Sequence, residues 1–296
     1  MVGPTAAGKS EVAVAVARAL GDVEIVTVDS MQVYRGMDIG TAKPDLAARG
    51  GVPHHLLDLA DPSEEWTVTR WLAAAREALA AIEGRGRRAL LVGGTGLYFR
   101  ALADGLTPPG RYPQVRAELD ADPDTAALHG RLAALDPLAA GRMLPGNRRR
   151  VVRALEVTLG SGRPFSSFGP GLDTYPAVPW RIAGLAPPRE ALAGRIARRW
   201  DGMLAAGLLD EVRTLAARPG GLARTARQAL GYRELLAHLE DGVPLAAAGD
   251  EAVRRTRAFA RRQRVWWRRD PRIAWYEVGD NPVAVTARLL GDWSAP

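Results

Sequence analysis

The chain has 296 residues, of which 47% are hydrophobic and 25% charged, a composition that is ordinary for a globular protein. It contains no cysteine, which excludes disulfides and Cys-based zinc sites, and it has no long apolar run that would predict a membrane span. The formal net charge of +7 favours a polyanionic partner, and we expect a monomer in the cytoplasm.

The first motif fits the phosphate-binding pattern G-x-x-x-x-G-K-[ST] at every fixed position; it is Gly3-Pro4-Thr5-Ala6-Ala7-Gly8-Lys9-Ser10. In such a loop, backbone N–H groups converge on phosphate oxygens at a helix N-terminus, and residues 11–20 predict that helix. Lys9 supplies a positive charge to a terminal phosphate, and the Ser10 hydroxyl is placed to bind Mg²⁺. Only two residues precede Gly3, so we expect either a first strand that is cut short or a true start that lies upstream of this sequence.

Residues 23–28 predict a buried strand that ends in Asp29-Ser30-Met31-Gln32. Ligands of open α/β sheets bind beyond the carboxyl ends of strands, which places Asp29 in the crevice beside the phosphate loop. The alternative is an Asp that forms a turn or caps a helix. Residues 33–44 predict a loop over the site, residues 54–58 a short strand, and residues 67–82 a helix. The adjacent histidines His54 and His55 would point to opposite faces, which disfavours a metal site.

A further buried strand is predicted over residues 88–92, followed by Gly93-Gly94-Thr95-Gly96-Leu97-Tyr98. ATP hydrolases usually end such a strand with an Asp that holds Mg²⁺ and arranges the attacking water. That Asp is missing here, which favours group transfer over hydrolysis, with Asp29 facing the acceptor.

Prolines punctuate residues 107–170, and no buried strand is apparent there, which predicts a helical insertion. Within it, Val151 and Val152 are expected to pack inward, whereas Arg149, Arg150 and Arg153 face outward. Such a face is either solvated or suited to a phosphate backbone, and the pattern alone favours neither interpretation.

After the insertion, the pattern predicts a strand over residues 180–185, a long helix over 189–217 and a last strand over 273–278. A helix over residues 254–269 has stripes of arginine, with Phe259, Gln263, Trp266 and Trp267 on its other side. The predicted fold is therefore α/β, a P-loop NTPase-like parallel sheet flanked by helices, with an all-helical insertion. We divide the chain into residues 1–106 and 171–296, which form the P-loop core, and residues 107–170, which form the insertion.

Residues 1–267 resemble the bacterial tRNA dimethylallyltransferases. The similarity is carried by Gly3–Ser10, Asp29–Pro44, Gly93–Tyr98, Arg149-Arg150-x-x-Arg153, Gln228-Ala229-Leu230-Gly231-Tyr232 and Arg261-Arg262-Gln263-x-x-Trp266. The resemblance implies transfer of a dimethylallyl group from dimethylallyl diphosphate to the exocyclic amine of the adenosine 3′ of the anticodon. Its substrates would be tRNAs that read codons beginning with U, bound by the anticodon stem-loop.

The resemblance also implies roles for individual residues. The loop Gly3–Ser10 would bind the diphosphate, with Mg²⁺ on Ser10, and Arg199 would clamp it. Asp29 would accept a proton or a hydrogen bond from the amine of the adenosine. The tRNA-contacting residues would be Asp29, Ser30, Met31, Gln32, Thr95, Arg116, Arg149, Arg150, Val151, Val152 and Arg153. One departure from the family is Arg149, which stands where the family has Gln, so one RNA contact is expected to differ.

Three alternatives stay open from the residues alone. A P-loop nucleotide kinase would share the phosphate loop but offers no reason for the arginine-rich helix. An isopentenyltransferase acting on free AMP or ADP would share the chemistry without needing an RNA surface. A non-enzymatic RNA-binding module would explain the arginines but leave Lys9, Ser10 and Asp29 without a role.

Overall fold

The computed structural model describes residues 1–169 and 171–294. The chain divides into two compact units: unit 1 comprises residues 1–99 and 177–296, and unit 2 comprises residues 100–176. Among the described residues, none of the helices has the length and apolar character that crossing a membrane requires.

Unit 1 is built on parallel strands. They are β1 (Val23–Val28), β2 (His54–His55), β3 (Arg88–Gly93), β4 (Ile182–Ala186) and β5 (Ile273–Glu277). One sheet has the order β2-β1-β3, and β4 pairs with β5. Val2 forms parallel bridges with both Gly93 and Gly184, so this residue joins the two sheets. The predicted α/β class is thereby confirmed.

Fourteen helices occur in the described residues. In chain order they are α1 (Lys9–Leu20), α2 (Leu46–Arg49), α3 (Val68–Gly84), α4 (Gly96–Ala103), α5 (Pro113–Ala121), α6 (Thr125–Leu135), α7 (Pro137–Gly141), α8 (Arg148–Ser161), α9 (Arg189–Ala205), α10 (Leu208–Ala216), α11 (Arg224–Arg227), α12 (Tyr232–Asp241), α13 (Leu245–Arg268) and α14 (Thr286–Ser294). Short 3₁₀ turns cover Phe165–Phe168 and Pro282–Val285.

Two predicted helices and one predicted strand have different bounds in the structure. The helix predicted over residues 189–217 is divided into α9 and α10, because Gly207 adopts a φ of 96° that ends regular helical hydrogen bonding. The helix predicted over residues 254–269 is the second half of α13, which begins at Leu245. The strand predicted over residues 54–58 is paired only at His54 and His55, since Leu56 and Asp58 have φ values of 67° and 58°.

The core of unit 1 follows from the periodicity of its elements. Val12 and Val16 lie one turn apart on α1, and both are fully buried against the sheet. All six residues of β1 are buried, as expected for a strand covered on both faces. On α3, Trp71 is fully buried and stacks on Tyr98, with ring centroids 4.9 Å apart.

Unit 2 is helical throughout its described residues. Its core is formed by apolar side chains of α5, α6 and α8, among them Leu119, Leu132 and Leu155. Two of its helices begin at side-chain caps: Asp124 accepts from two backbone amides of α6, and Asp136 accepts from one backbone amide of α7.

Candidate active site

Three loops meet at one edge of the parallel sheet in unit 1. Val2 leads into the phosphate loop Gly3–Ser10, β1 leads into Asp29, and β3 leads into Gly94 and Thr95. The carboxyl ends of parallel strands lie at the same edge, which is where open α/β sheets bind their ligands. The crevice at this edge therefore brings together the residues that the sequence singled out.

The phosphate loop ends at the N-terminus of α1, whose N-cap is Gly8 with a φ of 84°. A Cβ at Gly8 would lie 2.4 Å from Cβ of Pro282, so both the backbone conformation and the packing require glycine. Ala6 also has a positive φ, of 61°. One amide of the loop is already occupied, because the N–H of Thr5 donates to Oε1 of Gln263 at 2.8 Å.

Lys9, Asp29 and Arg199 interact electrostatically in this crevice. Burial lowers the pKa of Lys9 to about 8, an effect that the negative charge of Asp29 opposes and the positive charge of Arg199 reinforces. Burial also lowers the pKa of Arg199, again against the charge of Asp29. Neither cation forms an ion pair with a carboxylate within the described chain; Lys9 Nζ donates to the carbonyl oxygen of Pro4 at 2.7 Å. Two cations that lack a paired carboxylate suit an anionic ligand.

Asp29 is oriented by the chain that follows it. Its Oδ1 accepts from the N–H of Met31 at 2.8 Å and of Gln32 at 3.4 Å. Burial raises the pKa of Asp29, although these hydrogen bonds and the charge of Lys9 act in the opposite direction. No described residue donates to Oδ2, which leaves one carboxylate oxygen for a ligand.

The other residues of the predicted acceptor pocket have structural partners. Thr95 Oγ1 accepts from the N–H of Ser30 at 3.1 Å, which ties the end of β3 to the segment after β1. Gln32 Nε2 donates to the carbonyl oxygens of Thr41 and Ala42 at 3.0 and 3.1 Å. Met31 is half-buried beside them.

The loop of residues 36–44 is held by charged side chains. Glu211 on α10 accepts from the backbone N–H groups of Asp38, Ile39 and Gly40 at 2.9, 2.8 and 3.1 Å. The Tyr232 hydroxyl also donates to Glu211, and burial together with this carboxylate raises the pKa of Tyr232, so it stays protonated.

Lys43 fixes the same loop from within. Its Nζ donates to the carbonyl oxygen of Tyr34 at 2.7 Å and forms ion pairs of 2.6 Å with Asp38 and Asp58. We call Glu211, Tyr232, Lys43, Asp38 and Asp58 the loop clamp.

In unit 2, some of the predicted tRNA-binding residues are exposed and others are buried or held by structural contacts. Arg149 and Arg150 are exposed, and neither guanidinium group has a partner among the described residues. Arg153 instead donates to Glu156 at 2.7 Å and to the carbonyl oxygens of Pro109 and Gly110.

The other predicted residues of unit 2 have structural contacts. Arg116 pairs with Asp120 at 2.7 Å and approaches Glu156 at 3.7 Å. Val151 and Val152 are fully buried in the core of unit 2, as their predicted inward packing requires, and their assignment as tRNA-contacting residues stays a prediction. The reason for their burial is helical periodicity, which turns these two residues away from the exposed face of α8.

The arginine-rich half of α13 has an exposed and a buried side. Arg261, Arg262 and Arg269 are exposed, and with Trp266 they line a shallow depression of about 390 Å³. On the buried side, Trp267 packs edge-on against Phe99. Arg255, in contrast, is paired with Glu234 at 2.8 Å and with Glu251 at 2.9 Å.

Each of the adjacent histidines has a hydrogen-bond partner among the described residues. His55 Nε2 lies 2.6 Å from Glu24 Oε2, and the neighbouring Arg85 guanidinium lowers the pKa of Glu24 to about 2. His54 Nδ1 lies 2.8 Å from the carbonyl oxygen of Val52. No group of three or more His, Asp or Glu side chains at metal-binding distance occurs in the residues that the structure describes.

Sequence reasoning missed the roles of Gln263 and Glu211. The sequence places Gln263 on the non-arginine side of its helix and in a motif of the family resemblance without a role of its own, and it gives no role to Glu211. A buried amide among arginines on a long helix is a weak signal that could have marked Gln263, because a buried polar group needs partners. No pattern in the sequence marks Glu211.

Comparison with known proteins identifies similar chains and structures. A family model described as IPP transferase matches residues 32–270. The tRNA dimethylallyltransferase of Kineococcus radiotolerans is 48% identical over 300 residues, covering 98% of this chain and 94% of the relative. That of Streptomyces coelicolor is 50% identical over 283 residues, covering 94% of this chain and 89% of the relative.

Two solved structures share the fold. The full-length tRNA isopentenylpyrophosphate transferase of Bacillus halodurans is 37% identical with a TM-score of 0.70, covering 98% of this chain and 94% of its own. A eukaryotic dimethylallyltransferase acting on tRNA is 26% identical with a TM-score of 0.80, covering 98% of this chain and 76% of its own.

Proposed function

The chain belongs to the IPP transferase family and has the activity of a tRNA dimethylallyltransferase, and we propose that the crevice of unit 1 is where this transfer occurs. The donor is dimethylallyl diphosphate. The acceptor is the N6 amine of the adenosine adjacent to the anticodon on its 3′ side, in tRNAs that read codons beginning with U. The enzyme acts as a monomer in the cytoplasm.

The observation that carries this proposal is the charge arrangement in the crevice. Lys9 and Arg199 interact with Asp29 across it, and neither cation is paired with a carboxylate in the described chain. A diphosphate beside the phosphate loop would meet both cations and the amides at the start of α1. Asp29 would then face the other substrate.

The two substrates and Asp29 account for every bond, electron pair and proton in the transfer. The N6 lone pair forms a bond to C1 of the allyl group while the C1–O bond breaks, and the diphosphate leaves with the electron pair. Lys9 and Arg199 stabilise the charge that develops on the leaving group. The free Oδ2 of Asp29 accepts the amine proton or orients the amine through a hydrogen bond. Because burial raises the pKa of Asp29, the carboxylate is a better base than an exposed Asp.

The residues at the loop are compatible with Mg²⁺. The Ser10 hydroxyl is exposed at the first turn of α1, and the described residues provide no dedicated carboxylate cluster. Mg²⁺ commonly binds through few protein ligands together with waters and substrate phosphates, so one hydroxyl and a diphosphate suit it. When bound, the ion would supply further positive charge at the leaving diphosphate.

The adenosine must leave its base stack to reach a crevice, which a tRNA loop permits at a cost of a few kcal/mol. The exposed Arg149 and Arg150 of unit 2 and the exposed arginines beside Trp266 of unit 1 suit phosphates and unstacked bases. They support a polynucleotide substrate over free AMP.

The proposal is tested by incubating the protein with labelled dimethylallyl diphosphate, Mg²⁺ and either unmodified tRNA or AMP. We expect label in tRNA at the adenosine 3′ of the anticodon and little in AMP. Label in AMP alone would contradict the RNA substrate, and ATP consumption without prenyl transfer would indicate a kinase.

A further inference from the structure

Gln263 of α13 connects two loops of the crevice that are distant in the sequence. Its side chain is 7% exposed, and both ends of the amide are hydrogen-bonded. Oε1 accepts from the N–H of Thr5 in the phosphate loop at 2.8 Å, and Nε2 donates to the carbonyl oxygen of Gly94 at 3.0 Å. One amide group therefore spans the gap between the phosphate loop and the segment after β3.

The segment after β3 is shaped to receive this helix. A Cβ at Gly94 would lie 2.4 Å from Gln263 Nε2, and a Cβ at Gly96 would lie 2.1 Å from Trp266 Nε1. These distances are far below those of real contacts, so a side chain at either position would have to displace Gln263 or Trp266. The close approach leaves the carbonyl of Gly94 with little room to move relative to Gln263.

From Gly94 the connection continues to the acceptor side. Thr95 follows Gly94 directly; its N–H donates to the carbonyl oxygen of Val28 at 3.2 Å, and its Oγ1 accepts from the N–H of Ser30 at 3.1 Å. Ser30 follows Asp29 in the chain. A continuous set of hydrogen bonds and peptide links thus joins Thr5 to the residue beside the candidate base.

We propose that Gln263 is a positioning residue that sets the separation between the diphosphate loop and the acceptor segment. This inference rests on the proposed function, in which the two loops hold the two reacting substrates. An amide suits the role because it carries a donor and an acceptor, whereas methionine offers neither as a strong group and a carboxylate lacks the donor. Reacting atoms must approach to near-attack distance, and a displacement of about 1 Å can lower the rate by about a hundredfold.

The test uses two variants of the full chain, Q263M and Q263E, with Leu236→Ala as a matched control. Leu236 is buried in α12 of the same unit, so its truncation lowers stability without removing a loop contact. We expect Q263M to lower kcat by about ten- to a hundredfold with KM for both substrates within about threefold of the wild type. The control should have a lower free energy of unfolding, measured by urea denaturation, and an unchanged kcat.

The pH response of Q263E separates positioning from packing. At pH 8 the introduced carboxylate can accept from Thr5 but repels the carbonyl of Gly94, so kcat should be as low as in Q263M. Burial and the neighbouring carbonyl of Gly94 raise the pKa of a carboxyl at this position, so acidification to pH 6 adds a proton that the carboxyl can donate to Gly94. The ratio of kcat in Q263E to kcat in the wild type should then rise by about threefold or more; this ratio cancels the titration of Asp29.

A kcat of Q263M equal to that of the wild type would overturn the proposal, as would a loss seen only in KM or only in the folded fraction. If Q263M does not fold, the pH response of Q263E decides, and a flat ratio to the wild type overturns the proposal.

Amide hydrogen exchange gives a readout that needs no substrate. Exchange at Ser30 should be faster in Q263M and unchanged in the control, because the link through Gly94 is lost. Unchanged exchange at Ser30 would contradict the coupling. Failure of the wild type to prenylate tRNA would overturn the proposed function alone, and the exchange measurement would still decide the role of Gln263.

Discussion

The crevice and the loop clamp are both clusters of charged side chains in unit 1. They differ in whether the cations are paired with carboxylates. In the clamp, Glu211 accepts three backbone amides and the Tyr232 hydroxyl, and Lys43 pairs with two carboxylates. In the crevice, Lys9 and Arg199 are half-buried, and no ion pair joins either of them to a carboxylate of the described residues.

This difference separates structural charges from functional ones. A buried charge costs free energy unless partners compensate it, and the clamp supplies those partners within the protein. In the crevice neither Lys9 nor Arg199 is paired with a described carboxylate, so both charges remain available to an anionic ligand. We therefore expect substitutions in the crevice to affect activity and substitutions in the clamp to affect stability.

The largest expected effect is that of Asp29→Asn. The amide is nearly isosteric but cannot accept a proton, so the transfer rate should fall by about a thousandfold. Single-turnover transfer to tRNA measures it. Because Asp29 has no ion pair within the described chain, the free energy of unfolding should stay equal or rise. A large loss of stability would contradict the expectation that substitutions in the crevice affect activity and not stability.

In the clamp, Glu211→Ala should lower the free energy of unfolding by about 3 kcal/mol, because three backbone donors and the Tyr232 hydroxyl lose their acceptor. Urea unfolding measures it. The control Glu211→Gln keeps one carbonyl oxygen and should lose less than half as much. Equal losses in the two variants would show that charge, not the acceptor geometry, holds the loop.

The crevice should also show a pH dependence set by Lys9, whose pKa is lowered to about 8. Binding a diphosphate favours the protonated ammonium, so above that pH the free protein must regain a proton to bind. Its affinity for pyrophosphate should fall by about tenfold per pH unit relative to Lys9→Arg, which stays charged. Calorimetric titration at pH 7, 8.5 and 9.5 measures this ratio; a ratio independent of pH would place the Lys9 pKa elsewhere.

The smallest expected effect is on tRNA binding by two arginines of α8, one exposed and one held by structural contacts. Arg150 is exposed and unpaired in the described chain, so Arg150→Ala should reduce the slope of log affinity for tRNA against log salt by about 1. Arg153 is held by Glu156 and two carbonyl oxygens. Arg153→Ala should leave that slope unchanged and lower thermal stability. Equal slopes for the two variants would argue against RNA contact by Arg150.

Much of the site was predictable because its elements are local. The phosphate loop, Asp29 after β1 and Thr95 after β3 each follow from a short pattern beside a buried strand, and the rule for parallel sheets places their ends together. The bounds of helices were less predictable. The break at Gly207 depends on one residue with a positive φ, which periodicity does not reveal.

By itself the sequence determined the α/β class, the phosphate loop and the family, because these depend on residue types at fixed short spacings. Only the tertiary structure decided which charges are paired, since Glu211 meets residues 38–40 and Gln263 meets Thr5 across long separations in the chain. It also decided that Arg153, which the pattern placed on the outward face of its helix, is held by structural contacts. Hydrogen-bond partners that are distant in the sequence are properties of the packed chain, and no local pattern encodes them.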